Sequence, residues 1–217
     1  RWRGFLEATT SEELDSFLNG GKRTMYVGFD PSADSLHLGS LIPVMALAHA
    51  QRHGHRPVVL VGGGTGLIGD PSGKATERVL LTAETTAQNA VAIRVQLSRF
   101  FDLSSDEKGL MMNNADWLCS LNLLEFLRDI GKHFSVNEMI KRDSVRTRLE
   151  ERDHGISYTE FSYMLLQAFD FYHLKHTLNC ELQVGATDQW GNITAGTDLI
   201  RKKGAGTAWG LTFPLLT

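Results

Sequence analysis

Four segments of this 217-residue sequence concentrate groups able to grip a small molecule. The first, YVGFDPSADSLHLGS (Tyr26 to Ser40), carries Gly28, Asp30, Ser32, His37 and Gly39 behind a short apolar run. A helix start offers free N–H groups and the positive end of the helix dipole, which together suit an anion. His37 there reads either as a phosphate ligand or as a half-exposed helix-start residue. Gly39 has no Cβ, so a flat group can lie against its backbone. The second segment, VGGGTGLIGDPSGK, resembles a P-loop at first glance, but the spacing fails: Ile68 stands where a glycine is needed and Ala75 where Ser or Thr is needed. It reads as a glycine loop carrying the carboxylate Asp70, with Lys74 and Arg78 as mobile cations or as a solvated surface cluster. The third is a helical stretch in which Tyr163, Gln167 and Asp170 fall at i, i+4 and i+7, on one face. A phenol, an amide and a carboxylate on an otherwise apolar helix need polar partners if buried. With Tyr26 they would line a slot with a polar end. The fourth, ATDQWGN, puts Asp188 and Gln189 at a strand-to-helix turn, where Asp188 can bind a hydroxyl, cap the next helix, or both.

The elements that must position these groups follow from periodicity. Strands are expected over TMYVGF, over RPVVLVGGG (Arg56 to Gly64), over KGLMMNN and over CELQVG. Helices are expected over Thr10 to Gly20 with Ser11 as cap, Leu38 to His53, Thr85 to Phe101, Leu121 to Asp129, Val136 to Glu151, Ser157 to His173 and Trp190 to Lys202. Strand and helix alternate, which predicts a doubly wound α/β fold: a parallel sheet with helices on both faces. Ligands of such sheets sit at the carboxyl ends of the strands, and three of the four segments fall there.

Composition narrows the function classes. A net charge of −3 excludes a chain that is basic overall, so any RNA contact needs a local patch. Cys119 and Cys180 are far apart without CxxC spacing, which favours a reducing compartment and argues against structural zinc. No apolar run reaches the roughly 18 residues of a membrane span, and RWRGFLEATT is too short and polar for a secretory signal. Asn192-Ile193-Thr194 fits a glycosylation acceptor, a triplet that also arises by chance. The length allows one large domain, 1–217.

In this order the segments resemble bacterial and organellar tyrosyl-tRNA synthetases over nearly the whole chain. YVGFDPSADSLHLGS is similar to the family's strand and its version of the HIGH signature, and LVGGGTGLIGDPSGK, GKHFSVNEMIKRDSV, FSYMLLQAFDF and GATDQWGNITAG are similar to further blocks. The resemblance implies a Rossmann-like class I catalytic domain that makes tyrosyl-adenylate from tyrosine and ATP and passes tyrosine to tRNA(Tyr). It implies that Tyr26 and Asp170 bind the substrate phenol and that Tyr163, Asp70 and Gln167 hold its ammonium. Gln183 and Gln189 lie near the substrate, Gln189 towards the carboxylate. Asp188 takes the ATP ribose, and backbone at Gly28, Asp30, Gly39 and Ser40 lies against the adenosine. His37 and Ser32 meet the phosphates, while Lys74 and Arg78 clasp pyrophosphate. Mg²⁺ is carried by the ATP phosphates, with no dedicated protein site. A homodimer is implied, with an interface in the helical segment around 114–156 and an apolar patch of Phe134, Val136, Met139 and Ile140, residues that ordinary core packing would equally explain. A cytoplasmic or organellar-matrix location goes with this.

Two departures stand out. The signature's second histidine is Ser40 here, and no lysine-rich KMSKS-type loop or anticodon-binding region occurs before LTFPLLT. The expectation is an N-terminal piece of a longer protein, with RKKGAGTAWG as an alternative place for a shortened loop. Two other readings stay open: a tryptophanyl relative with the same ATP grip, and a non-catalytic RNA-binding relative.

Overall fold

Central strands of the sheet are built from runs that only a doubly covered sheet can bury. In order come β1 (Ala8–Thr9), α1 (Leu14–Asn19), β2 (Thr24–Phe29), α2 (Leu41–Arg52), β3 (Arg56–Val61), α3 (Ala83–Leu97), β4 (Leu110–Asn113), α4 (Ala115–Leu118) and α5 (Leu123–Asp129). Then follow α6 (Val136–Met139), α7 (Asp143–Glu150), α8 (Tyr158–Leu178), β5 (Cys180–Ala186), α9 (Trp190–Lys202) and β6 (Trp209–Phe213). The structure, a computed structural model, describes residues 4–72, 80–150 and 155–216.

The sheet runs β1-β6-β5-β2-β3-β4 and is parallel except at its edge, where β1 pairs antiparallel with β6. Val58, Val59, Leu60 and Val61 are all buried, as a strand covered on both faces requires. Pro57 is tolerated because Arg56 N–H bonds to Arg23 C=O on the β2 side, which turns the position of the missing Pro57 N–H towards β4, and the β4 ladder begins only at Val58. One face packs Met25, Val27 and Val59 against Leu14 of α1, Val44 and Leu47 of α2 and Ile93 and Leu97 of α3. The other packs Tyr26, Val58 and Leu60 against Trp117 of α4, Phe171 and Leu174 of α8 and Ile200 of α9. Ile130, Met139, Leu165, Ala168 and Leu199 form a third cluster between helices. The doubly wound, Rossmann-like arrangement expected from the alternation is therefore present.

Several boundaries differ from expectation. Helix 85–101 becomes 83–97, because the Thr82 hydroxyl accepts from Thr85 N–H and opens the helix earlier. The 10–20 helix shrinks to 14–19, and 121–129 starts at Leu123 behind the Asn122 cap. The single helix expected over 136–151 breaks into α6 and α7. Helix 157–173 runs on to Leu178 and ends at Asn179 in the left-handed conformation, φ 49°. A 3-10 turn, Leu38–Ser40, precedes α2. RKKGAGTAWG is the end of α9, its connection and the start of β6. Strands β1 and β6 were not legible, since two and five residues held mainly by pairing carry little periodicity of their own.

Met139 of the expected apolar patch is buried in the interhelical cluster and Phe134 packs against it, whereas Val136 and Ile140 are exposed. Within the single turn of α6, Met139 is turned into the cluster while Val136 is left exposed. Asn192 is 4 % exposed, so the Asn192-Ile193-Thr194 triplet is no acceptor in the folded chain.

Candidate active site

Between β5 and β2 the winding of the sheet reverses, and a cleft of about 630 Å³ opens at the carboxyl edge there. Tyr26 and Gln183 are register partners on adjacent strands, so their side chains share one face. Both are buried, and the Tyr26 ring lies 5.3 Å from Phe171 of α8. Asp170 precedes Phe171 and lines the same cleft, so Tyr26 and Asp170 lie together at its inner end. The Tyr26 hydroxyl and Gln183 Oε1 have no hydrogen-bond partner among the described residues. Buried polar atoms are rarely left so, and here they face a cleft in which a ligand can complete them.

Asp170 is held from behind. Asn114 Nδ2 donates to its Oδ2 at 2.8 Å and Trp117 Nε1 to its Oδ1 at 2.7 Å. Burial raises its pKa to about 7 against the lowering effect of these two bonds, with the Asp30 charge adding to the rise. Burial, then the Asp170 charge, also lifts the Tyr26 phenol well above its usual range.

Midway along the cleft, Tyr163 Oη donates to Asp30 Oδ2 and Thr65 Oγ1 to Asp30 Oδ1, both at 2.7 Å. The Asp30 side chain thus belongs to this part of the cleft, beyond the backbone role expected for it. Gly62 permits the arrangement, since a Cβ there would strike Asp30 Oδ1 and Thr65 Oγ1. Gly62→Ala is expected to displace the carboxylate and cost about 1–3 kcal/mol by overpacking. Urea unfolding measures it; an unchanged midpoint would contradict the close approach.

Beside Asp30 lies an amide network. Gln189 Nε2 donates to Asp70 Oδ2 at 2.7 Å and Gln167 Nε2 to Gln189 Oε1 at 3.2 Å. Asn192 Nδ2 donates to Gln167 Oε1 at 3.0 Å, and lies 3.3 Å from both Gln189 Oε1 and Ser72 Oγ. Asn192→Ala removes a donor that both glutamine carbonyls share, leaving only the direct Gln167–Gln189 bond between them. It is expected to lower stability by about 1–2 kcal/mol, read by urea denaturation, with Asn192→Asp at least as damaging because it sets a carboxylate against two carbonyl oxygens.

At the mouth, His37 is extended (φ −97°, ψ 169°) and exposed just before the 3-10 turn. A Cβ on Gly39 would lie 3.0 Å from the His37 ring, so this glycine makes room for the imidazole. Ser32, Gly28 and Ser40 also face the cleft. Asp188 lies in the turn after β5, with Oδ1 buried and unpartnered among the described residues. Burial, then the Asp70 charge, raises its pKa. Asp30, Asp70, Asp170 and Asp188 make the cleft acidic, and no Lys or Arg lines it among the described residues. Lys74 and Arg78 lie outside the described residues.

The cleft therefore collects every described candidate. Sequence reading missed Asn114, Trp117, Thr65 and Asn192. Asn114 was within reach, since Lys108 to Asn114 ends at the carboxyl edge of a strand, where site residues are expected.

A doubly wound sheet with a polar cleft at its switch point, a histidine at the mouth and a buried phenol–carboxylate pair at the inner end defines a Rossmann-like α/β domain with its ligand-sized cleft where such folds place their sites. The profile of the class I tRNA synthetases (W and Y) matches residues 18–217, and the chain belongs to that family. It is 58% identical over 219 residues to a tyrosine--tRNA ligase of Opitutus terrae, covering 100% of this chain and 51% of that protein. A tyrosine--tRNA ligase of Desulfatibacillum aliphaticivorans is also 58% identical, over 99% of this chain and 50% of its own length. The C-terminally truncated mitochondrial tyrosyl-tRNA synthetase of Aspergillus nidulans superposes with a TM-score of 0.88 at 29% identity, covering 100% of this chain and 68% of that one. The chain thus spans about half the length of the curated relatives it matches.

Proposed function

We propose that this chain is the catalytic portion of a tyrosine–tRNA ligase. The observation that carries the reading is the unpartnered Tyr26 hydroxyl beside the Asp170 carboxylate at the closed end of the cleft. A tyrosine phenol inserted there donates to Asp170 and accepts from Tyr26, which completes both. Its ammonium falls among Tyr163, Asp70 and Gln167, in the most acidic part of the cleft. Gln183 and Gln189 lie near the substrate, Gln189 towards its carboxylate.

ATP occupies the mouth. Asp188 accepts from the ribose, the adenosine lies on the backbone of Gly28, Asp30, Gly39 and Ser40, and His37 and Ser32 donate to the phosphates. The tyrosine carboxylate attacks the α-phosphorus, the bond to pyrophosphate breaks, and tyrosyl-adenylate forms. A ribose hydroxyl at the 3′ end of tRNA(Tyr) then attacks the carbonyl and releases AMP. Nucleophile and leaving group need no further activation, so catalysis is alignment plus stabilisation of the growing phosphate charge. In an acidic cleft that charge needs cations, supplied by Lys74, Arg78 and Mg²⁺ riding on the ATP phosphates. Ser40 is shorter than the family's histidine and reaches the nucleotide through water.

The test is tyrosine-dependent ATP–pyrophosphate exchange by the full-length protein, alongside thermal shift of this chain with tyrosine, tryptophan and ATP. Exchange supported by tryptophan and not tyrosine would favour the tryptophanyl reading, and no exchange would favour a non-catalytic relative. tRNA(Tyr) is engaged mostly through regions outside these 217 residues. No helix among the described residues is long and apolar enough to cross a membrane; a cytoplasmic or organellar-matrix site accompanies the reading.

A homodimer is part of the proposal. Leu123, Leu124, Val136 and Ile140 expose apolar side chains within 114–156, a surface that association would cover. Sedimentation at micromolar concentration is expected to give twice the chain mass, and Val136→Asp a monomer; a wild-type monomer would remove the dimer from this reading.

A further inference from the structure

Asp170 is fixed by an indole that is itself outside the cleft. Trp117 sits on α4, a single turn too short to hold its own geometry. Its Nε1 nevertheless points at Asp170 Oδ1 across 2.7 Å, and such short charge-assisted bonds need good alignment. The His173 ring supplies a stop. It stacks on the Trp117 ring with centroids 4.3 Å apart and planes 17° from parallel. His173 lies one turn beyond Asp170 on α8, so one helix delivers both the carboxylate and the ring that clamps the carboxylate's donor. His173 does not line the cleft, and its hydrogen-bonding edge is not used on Asp170.

We propose that His173 is a positioning residue for recognition of the substrate phenol: its stacked ring holds the Trp117 indole in the plane that aims Nε1–H at Asp170. Loss of the ring lets the indole rotate, frees Oδ1 and allows the carboxylate to turn away from an entering hydroxyl. The inference rests on the tyrosine reading above for its consequence, though not for its geometry. A residue that merely filled space would lower stability without touching one ligand more than another.

The test uses His173→Ala, His173→Leu and His173→Phe in this chain. The Trp117 indole N–H signal, assigned with Trp117→Phe, is followed by hydrogen exchange without ligand, and L-tyrosine and ATP dissociation constants are measured separately. In His173→Ala and His173→Leu, exchange of the indole N–H is expected to quicken at least about tenfold and the tyrosine constant to rise about tenfold, with ATP unchanged. His173→Phe, which keeps a ring, restores both. If His173→Ala fails to fold, His173→Leu keeps the volume without the ring and carries the same expectation. Unchanged indole exchange, equal losses for tyrosine and ATP, or no rescue by Phe would overturn the inference. Wild-type protein that binds no tyrosine, while the indole still responds to His173, would overturn the functional reading and leave the positioning role standing.

Discussion

Asp170→Ala is expected to weaken L-tyrosine binding on the order of 100-fold and to leave ATP affinity within about threefold. Hydrogen bonds to charged groups contribute about 1.5–3 kcal/mol, and each 1.4 kcal/mol is tenfold in affinity. The substitution does more than delete one acceptor. It also leaves Asn114 Nδ2 and Trp117 Nε1 facing an apolar hole. Asp170→Asn is no rescue, because both neighbours are donors and an amide offers one of them another N–H. The pH dependence has a definite sign. Burial holds the Asp170 carboxyl at about 7, so in the free protein it gains a proton as pH falls through that value. A phenol donor prefers the ionised form, so tyrosine affinity is expected to strengthen as pH rises from 6 to 8, and Asp170→Asn to flatten that rise. Isothermal titration with tyrosine and with ATP at both pH values decides it. Parallel losses of both ligands would mean that Asp170 supports the fold and not the phenol.

The second large effect concerns stability. Arg148 of α7 and Glu160 of α8 form a buried bidentate pair, Nη1 to Oε1 at 3.1 Å and Nη2 to Oε2 at 2.9 Å, with side chains 5% and 2% exposed. Arg148 Nε donates further to Gly155 C=O at 3.2 Å. Ser157 caps α8 by accepting from Glu160 N–H, yet the Glu160 carboxylate does not close a capping box and reaches across to Arg148 instead. Glu160→Gln leaves a buried guanidinium without its counter-charge, which costs about 3–5 kcal/mol. For a chain of this size that lowers Tm by roughly 6–20 °C. Arg148→Met with Glu160→Leu is expected to recover most of the loss, since desolvating two charges nearly cancels their attraction. A Tm within about 2 °C of wild type for Glu160→Gln would show that water reaches the pair. Glu160 lies one turn before Tyr163, so the same variant is also expected to loosen the cleft wall.

Much of this architecture is readable along the chain. The runs at 24–29, 56–61 and 180–186 are apolar enough to demand a doubly covered sheet, and their carboxyl ends carry the groups that meet in the cleft. Tyr163, Gln167 and Asp170 share a face by helical spacing alone, and the structure turns that face into the cleft. The family signature around His37 needed only five ordered blocks of sequence.

Contacts between distant segments were not legible. Trp117 and Asp170 are 53 positions apart, and Asn192 reaches Ser72 across 120. Nothing local in Asn114 or Trp117 marks them as holders of a carboxylate, because any apolar or amide side chain satisfies the local pattern. The short strand β1 exists through its pairing with β6, which in turn pairs with β5, and Met139 points inward because the fold packs it against Ile130, Leu165 and Leu199. Residue types and periodicity act over one turn or one pleat and so determined the elements, the strand ends and the chemistry available there. Which donor meets which acceptor is decided when strand register and helix packing bring remote segments within 3 Å, and only the folded chain contains that information.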